Sequence, residues 1–258
     1  MMPDDDRLDG TWAIVSGASK GIGRAIANEL VDAGASVVLL ARGADELARA
    51  ANELATAAGP DQQILTRTVD ISSPAGITGL FDWASTELPR LDTFVANAGT
   101  GHMGPLLELE LHEWQRMVDL NLTGTLLCCQ GAARLMTLHD GPDRSIVVVS
   151  SIRAIQATPG RLAYSTTKAA VNQLIRVAAA ELAPSGIRVN GLSPGITDTP
   201  LTRQFPDAFA EAVAKVPMGR AGEVGEVAGA ARFLCGPRAR FITGINLVVD
   251  GGESLPGR

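Results

Sequence analysis

The chain has 258 residues, 46% of them hydrophobic, which suits one large α/β domain with a buried core or two small ones. A formal net charge of −6 and a pI near 5.1 argue against a nucleic-acid or anionic-membrane surface, because either would need a strongly basic patch. Residues 1–10 carry Asp4, Asp5, Asp6 and Asp9 instead of the basic-then-apolar order of a secretory signal, and no apolar run is long enough to span a bilayer. Cys128, Cys129 and Cys235 form neither a disulfide framework nor a metal-ligand spacing, so the expectation is a reduced cytoplasmic protein with no metal site.

The first β-branched run, 12–16, predicts a strand, and Ser16-Gly17-Ala18-Ser19-Lys20-Gly21-Ile22-Gly23 follows it directly. A helix is expected over 22–33. Glycines between a strand and a helix permit a tight turn, let backbone N–H groups approach a pyrophosphate, and place its charge at the helix N-terminus. This G-x-x-x-G-x-G spacing therefore reads as a dinucleotide-binding turn. A strand at 36–41, a helix at 44–58 and a strand at 63–69 come next. Asp70 ends the third strand, where its carboxylate either accepts from an adenine amino group or caps the helix expected over 74–88. The fourth strand, 91–96, ends in Asn97-Ala98-Gly99, a ligand contact or a plain turn.

A long helical stretch is expected over 106–138, with Asn121 inside it, an unfavourable place for an amide without a task. The fifth strand, 145–150, runs into Ser151. A helix over 163–183 opens with Tyr164 and Lys168, and a strand follows at 187–192. The insertion 194–222 holds Pro194, Gly195, Pro200, Pro206, Pro217 and Gly222 around a short helical stretch, the pattern of a mobile flap over a substrate. A helix at 223–235 and a strand at 246–250 complete the chain. The alternation predicts a single-domain α/β fold over 1–258: a doubly wound, seven-stranded parallel sheet with helices on both faces.

The sequence contains one tyrosine and three lysines, Lys20, Lys168 and Lys215. Tyr164 and Lys168 lie four apart on one helix face, so their side chains can converge. A phenol titrating near pH 10 is a poor acid or base at neutrality, and a nearby ammonium would favour phenolate. Ser151, at a strand end thirteen residues earlier, has a hydroxyl able to polarise a carbonyl.

These pieces, in this order and over the whole chain, resemble the short-chain dehydrogenase/reductase family. The matching positions are the turn from Gly17 to Gly23, Asp70, Asn97-Ala98-Gly99, Asn121, Ser151, Tyr164-x-x-x-Lys168, Pro194-Gly195 and the terminal Leu247-Val248-Val249-Asp250-Gly251-Gly252. One mild departure is Ala96, where the family often has a second asparagine. The resemblance implies a Rossmann-type fold in which Tyr164 is the acid/base and Lys168 lowers its pKa and holds the nicotinamide ribose. It also implies that Ser151 orients the substrate oxygen and Asn121 supports a water-linked proton relay to Lys168. The implied cofactor contacts are Gly17, Ser19, Lys20, Gly21, Ile22, Gly23, Arg42, Asp70, Ile71, Asn97, Ala98, Gly99, Tyr164, Lys168, Pro194, Gly195, Thr197 and Thr199.

The reaction implied is hydride exchange between a nicotinamide cofactor and a small-molecule ketone or secondary alcohol, and the chain is most similar in look to 3-oxoacyl-carrier-protein reductases. His102, Met103, Arg153, Ile155, Gln156 and residues 200–216 are expected to shape the substrate site, with His102 read as a loop residue and not a second acid. The alternatives are a catalytically silent dinucleotide-binding regulator of the same fold, against which the intact Asn121, Ser151, Tyr164 and Lys168 speak, and a dehydratase or epimerase, which would need an added substrate region. Family members usually pack the equivalents of 106–138 and 163–183 across two-fold axes, which implies a homo-oligomer, most often a tetramer. Finally, the second strand runs into Ala41-Arg42, without the carboxylate that would accept from an adenosine ribose. Arg42 there, and Lys20 in the glycine turn, are two cations suited to an extra phosphate, so NADP(H) is expected over NAD(H).

Overall fold

The computed structural model describes residues 6–139, 141 and 143–255; Asp4 and Asp5 of the acidic N-terminal run lie outside them. Seven strands form one sheet: β1 (Trp12–Ser16), β2 (Ser36–Ala41), β3 (Ile64–Thr68), β4 (Thr93–Ala96), β5 (Arg144–Val149), β6 (Ile187–Pro194) and β7 (Asn246–Val249). They stand in the order β3-β2-β1-β4-β5-β6-β7, and every pairing is parallel, as with Ser16 against Leu40 and Val15 against Val95. The chain builds outward from β1 to β3, then returns to place β4 on the other side of β1. That reversal opens a crevice at the carboxyl ends of β1 and β4, where open α/β sheets bind ligands.

The strands are apolar on both faces because both faces are covered. Ile14, Val38, Phe94, Ile146 and Val189 point to one layer, packing against α3 (Pro74–Glu87), α5 (Gly124–Met136) and α6 (Leu162–Leu182). Their neighbours Val15, Leu39, Val95 and Val147 point the other way, against α1 (Gly21–Asp32), α2 (Ala44–Ala55) and α8 (Val224–Cys235). Each fully buried aliphatic side chain contributes about 1.5–3 kcal/mol, so the two layers hold the sheet rigid while its carboxyl edge stays open.

Two departures from the sequence reading matter for the site. The stretch 106–138 is not one helix. A 3₁₀ turn (Leu106–Glu108) precedes α4 (Leu111–Met117), and a π-helical segment (Val118–Thr123) joins α4 to α5. Its wider turns rotate Asn121 inward, fully buried. Within 194–222, a 3₁₀ turn (Thr202–Gln204) and α7 (Pro206–Val213) are tied at the base by a parallel bridge between Thr197 and Gly222. No described helix is long and apolar enough to cross a membrane. Cys128, Cys129 and Cys235 are buried and free.

Candidate active site

The switch-point crevice has a volume of about 500 Å³. Gly17, Ser19, Lys20, Gly21 and Ile22 line its floor, Arg42, Asp70 and Ile71 one end, and Asn97, Ala98 and Gly99 the middle. At the far end stand Ser151, Tyr164 and Lys168, with Pro194, Gly195, Thr197 and Thr199 above them. Gly23 and Asn121 do not reach the crevice.

The glycine turn fits a dinucleotide by shape and polarity. Gly17 has φ +66°, and a Cβ there would stand 2.8 Å from Asn97 Nδ2. A Cβ on Gly23 would come within 2.3 Å of the same nitrogen, so Gly23 serves the packing of α1 under the turn. The N-terminus of α1 has no side-chain cap and no acid in its first turn, leaving N–H groups and a positive dipole end facing the crevice. Ser16, which the sequence reading passed over, anchors the turn. Its hydroxyl accepts from Asn97 N (2.9 Å) and Ala98 N (3.0 Å), while Asn97 Nδ2 donates to the carbonyls of Ser16 (2.9 Å) and Gly17 (3.2 Å). Asn97 thus spends its amide on joining the two strand ends.

Asp70 does not cap α3; Ser73 does, accepting from Gly76 N at 3.2 Å. One Asp70 oxygen accepts from Ser72 N (2.9 Å) and Ser72 Oγ (2.8 Å), and these bonds hold the carboxyl below its usual range, with a smaller contribution from Arg42. At the other corner the fold brings an acid to one of the two cations expected to hold an extra phosphate. Glu46, from the first turn of α2, approaches Lys20 Nζ to 3.4 Å and Ser19 Oγ to 3.5 Å. Arg42 has no ion-pair partner among the described residues.

At the opposite end, Tyr164 and Lys168 lie on one face of α6, with Lys168 Nζ 5.9 Å from the centre of the Tyr164 ring. Lys168 is buried, donates to Val149 O at 2.7 Å, and is pushed down to about 8 by burial. Ser151, whose hydroxyl accepts from Arg153 N at 3.1 Å, lines the crevice with Tyr164. Burial raises the phenol above its ordinary value; the Ser151 hydroxyl and then the charges of Arg161 and Arg153 oppose it. Asn121 stands behind the pair. Its Oδ1 accepts from Thr100 N (3.0 Å) and its Nδ2 donates to Thr100 O (2.9 Å) and Thr167 Oγ1 (3.4 Å). It thereby fixes the loop after β4 against α6, with Gly99 between the Asn121 amide and the Lys168 ammonium.

Of the expected substrate-side residues, Arg153 pairs with the buried Glu253, and Gln156 donates to Glu253 O at 2.8 Å. The other Glu253 oxygen accepts from Ile196 N at 2.8 Å, which ties the base of the 194–222 segment to the Ser151 loop. His102 faces Glu113 at 3.4 Å and is a loop residue. Met103 and Ile155 are exposed.

A crevice at the β1/β4 switch point, a glycine turn under it and a Ser151–Tyr164–Lys168 cluster at its end define a dinucleotide-dependent oxidoreductase fold. A family model described as enoyl-(acyl carrier protein) reductase matches residues 17–254. The chain superposes on a solved short-chain type dehydrogenase/reductase from Mycobacterium marinum with a TM-score of 0.93 at 35% identity, covering 98% of this chain and 99% of that one. It belongs to the short-chain dehydrogenase/reductase family, oxidoreductases that use nicotinamide dinucleotides. Among its relatives, cis-4-hydroxycyclohexanecarboxylate dehydrogenase of Sinomonas cyclohexanicum is 41% identical over 244 residues, 93% of this chain and 95% of that protein. The 3beta-hydroxysteroid dehydrogenase 1 of Eggerthella lenta is 36% identical over 256 residues, 98% and 97% of the respective chains.

Proposed function

We propose that the protein interconverts a ketone and a secondary alcohol with NADP(H) as cofactor, and that Tyr164 is the general acid/base. The observation that carries this reading is the convergence of Ser151, Tyr164 and Lys168 at one end of a crevice whose other end is the glycine turn. The bound nicotinamide supplies or accepts the hydride. In the reducing direction Tyr164 donates its proton to the carbonyl oxygen, which Ser151 holds by a second hydrogen bond; oxidation reverses both steps. The raised pKa of the phenol keeps it protonated and ready to donate at neutral pH. Lys168 holds the nicotinamide ribose, and Asn121 positions Lys168 and supports the proton relay. Both named relatives act on a hydroxyl borne by an aliphatic ring, which supports a cyclic substrate over a carrier-bound acyl chain.

The NADP(H) preference rests on Ala41, where an NAD enzyme would have a carboxylate, and on the unpaired Arg42. Lys20 contributes once it leaves Glu46. That pair is exposed on both sides, so it is worth at most about 1 kcal/mol, and a phosphate can displace it. The reading further takes 1–258 as one domain, working in the cytoplasm, with 194–222 closing over the substrate.

The test is a panel of cyclic ketones and alcohols followed by nicotinamide absorbance with each cofactor. Turnover with a higher kcat/KM for NADPH than for NADH is expected. A preference for NADH refutes the cofactor assignment, and cofactor binding without turnover on any substrate favours a silent dinucleotide-binding regulator.

A further inference from the structure

Beside Tyr164 stands a cation with no counter-ion. Arg161 is the N-cap residue of α6, three before Tyr164, and its charge acts on the phenol. Its guanidinium reaches the loop after β4, where Nη1 lies 3.7 Å from the place a Cβ on Gly101 would occupy. Among the described residues no hydrogen bond or ion pair reaches this guanidinium. The neighbouring Arg153 is matched by Glu253, with Gln156 Oε1 at 2.8 Å and Thr158 Oγ1 at 3.2 Å.

Three features make that position unfavourable for a cation. The guanidinium is half-buried, and burial holds it below its usual range, with the neighbouring Arg153 acting in the same direction. It sits at the positive end of a 21-residue helix whose first turn has no acid. An unpaired, partly desolvated charge of this kind costs stability unless something else supplies the negative partner. The cofactor phosphates are not that partner, because the glycine turn that would hold them lies at the opposite end of the crevice from Tyr164, beside which Arg161 stands.

We infer that Arg161 binds a carboxylate of the substrate, which is therefore a compact hydroxy acid, or the corresponding oxo acid, whose reacting oxygen bonds to Tyr164. This rests on the reading of Tyr164 as the proton-transfer group. The planar guanidinium can hold a carboxylate through two parallel N–H donors, whereas a phosphate dianion would call on a second free cation, and Arg153 is already spent on Glu253. Arg161 thus selects the substrate and, by fixing its far end, presents the carbonyl to Tyr164 and Ser151 in one orientation.

The test compares 4-oxocyclohexanecarboxylate, its methyl ester and 4-methylcyclohexanone as substrates of the wild-type protein, Arg161→Gln and Arg161→Lys, each with NADPH. The wild type should favour the acid over the ester by about 10- to 100-fold in kcat/KM. Arg161→Gln should lose that factor on the acid relative to 4-methylcyclohexanone, leave the KM for NADPH unaltered, and melt no lower than the wild type, since it removes a charge that costs stability. Arg161→Lys should recover part of the loss. A wild type indifferent to the charge, or an Arg161→Gln variant that slows acid and neutral ketone alike, overturns the assignment. Should none of the three ketones turn over, the reading of the reaction fails, and the Arg161 site is decided separately by titrating the NADPH complex with cyclohexanecarboxylate. Binding weakened at least tenfold in Arg161→Gln upholds it, and no binding to the wild type overturns it.

Discussion

Lys168 is a buried ammonium held by one carbonyl, so its charge costs folding free energy. Its folded pKa is pushed down to about 8, against about 10.4 in an unfolded chain. Below pH 8 both states carry the charge and the penalty, on the order of 3 kcal/mol, is fully present. Between those values the folded state binds fewer protons, so stability rises with pH, and above about 10.4 the penalty is gone. Lys168→Met should therefore melt no lower than the wild type at pH 7, and up to several degrees higher, with the gap narrowing as pH rises from 8 to 10. Thermal melts across that range check this; a Lys168→Met variant clearly less stable at pH 7 would mean that the bond to Val149 outweighs the burial penalty. The charge is retained, on this account, for what it does to the ribose and the proton path.

The π-helical segment Val118–Thr123 is the element that turns Asn121 from a helix-surface amide into a buried clamp on Thr100. Asn121→Ala would leave the N–H and C=O of Thr100 without these partners, a loss of about 1–3 kcal/mol. We expect a melting temperature lower by several degrees and a much larger fall in kcat, at least 100-fold, because the loop that supports Lys168 is released. An equal, small effect on both would reduce Asn121 to a structural role. Glu46 belongs to the same scale, since α2 carries it to Lys20. Removing its charge with Glu46→Gln should raise the preference for NADPH over NADH several-fold, read from kcat/KM ratios at low salt, where screening is weakest. An unchanged ratio would separate Lys20 from cofactor choice.

At both of these elements the limits of the sequence are physical. The runs at 12–16 and 145–150 announce strands because burial on both faces demands continuous apolar residues, and Tyr164 and Lys168 announce a shared face because helical spacing is local. No proline interrupts 106–138, and Gly124, directly after the π-helical segment, reads equally well as a close-packing position in one continuous helix. Ser16 looked like an ordinary strand-end serine. The pairs Lys20–Glu46 and Arg153–Glu253 join residues far apart in sequence, and the solitude of Arg161 depends on where every other charge finished. Such matches exist only after folding.

At the scale of the whole molecule, apolar side chains are exposed on two sets of elements that could pack against other copies of the chain. Leu126, Leu162 and Val177 are exposed on α5 and α6, and Phe233, Phe241 and Val248 on the side of α8 and β7. Two self-complementary faces at separate places give a closed tetramer, while one alone stops at a dimer. We expect light scattering at micromolar concentration to give four times the 26.8 kDa chain mass, and Val177→Glu to reduce it to two. A monomeric wild type contradicts this.

In the proposed reaction Tyr164 passes the proton while hydride moves between NADPH and a carbonyl carbon. Transfer of deuterium from NADPH labelled at nicotinamide C4 to a cyclic ketone tests it most directly, in the wild type and in Tyr164→Phe. One deuterium is expected on the carbinol carbon of the wild-type product. In Tyr164→Phe the rate should be at least about 1000-fold lower, with affinity for NADPH essentially unchanged. Label absent from that carbon, or a Tyr164→Phe variant that keeps most of the wild-type rate, would contradict it.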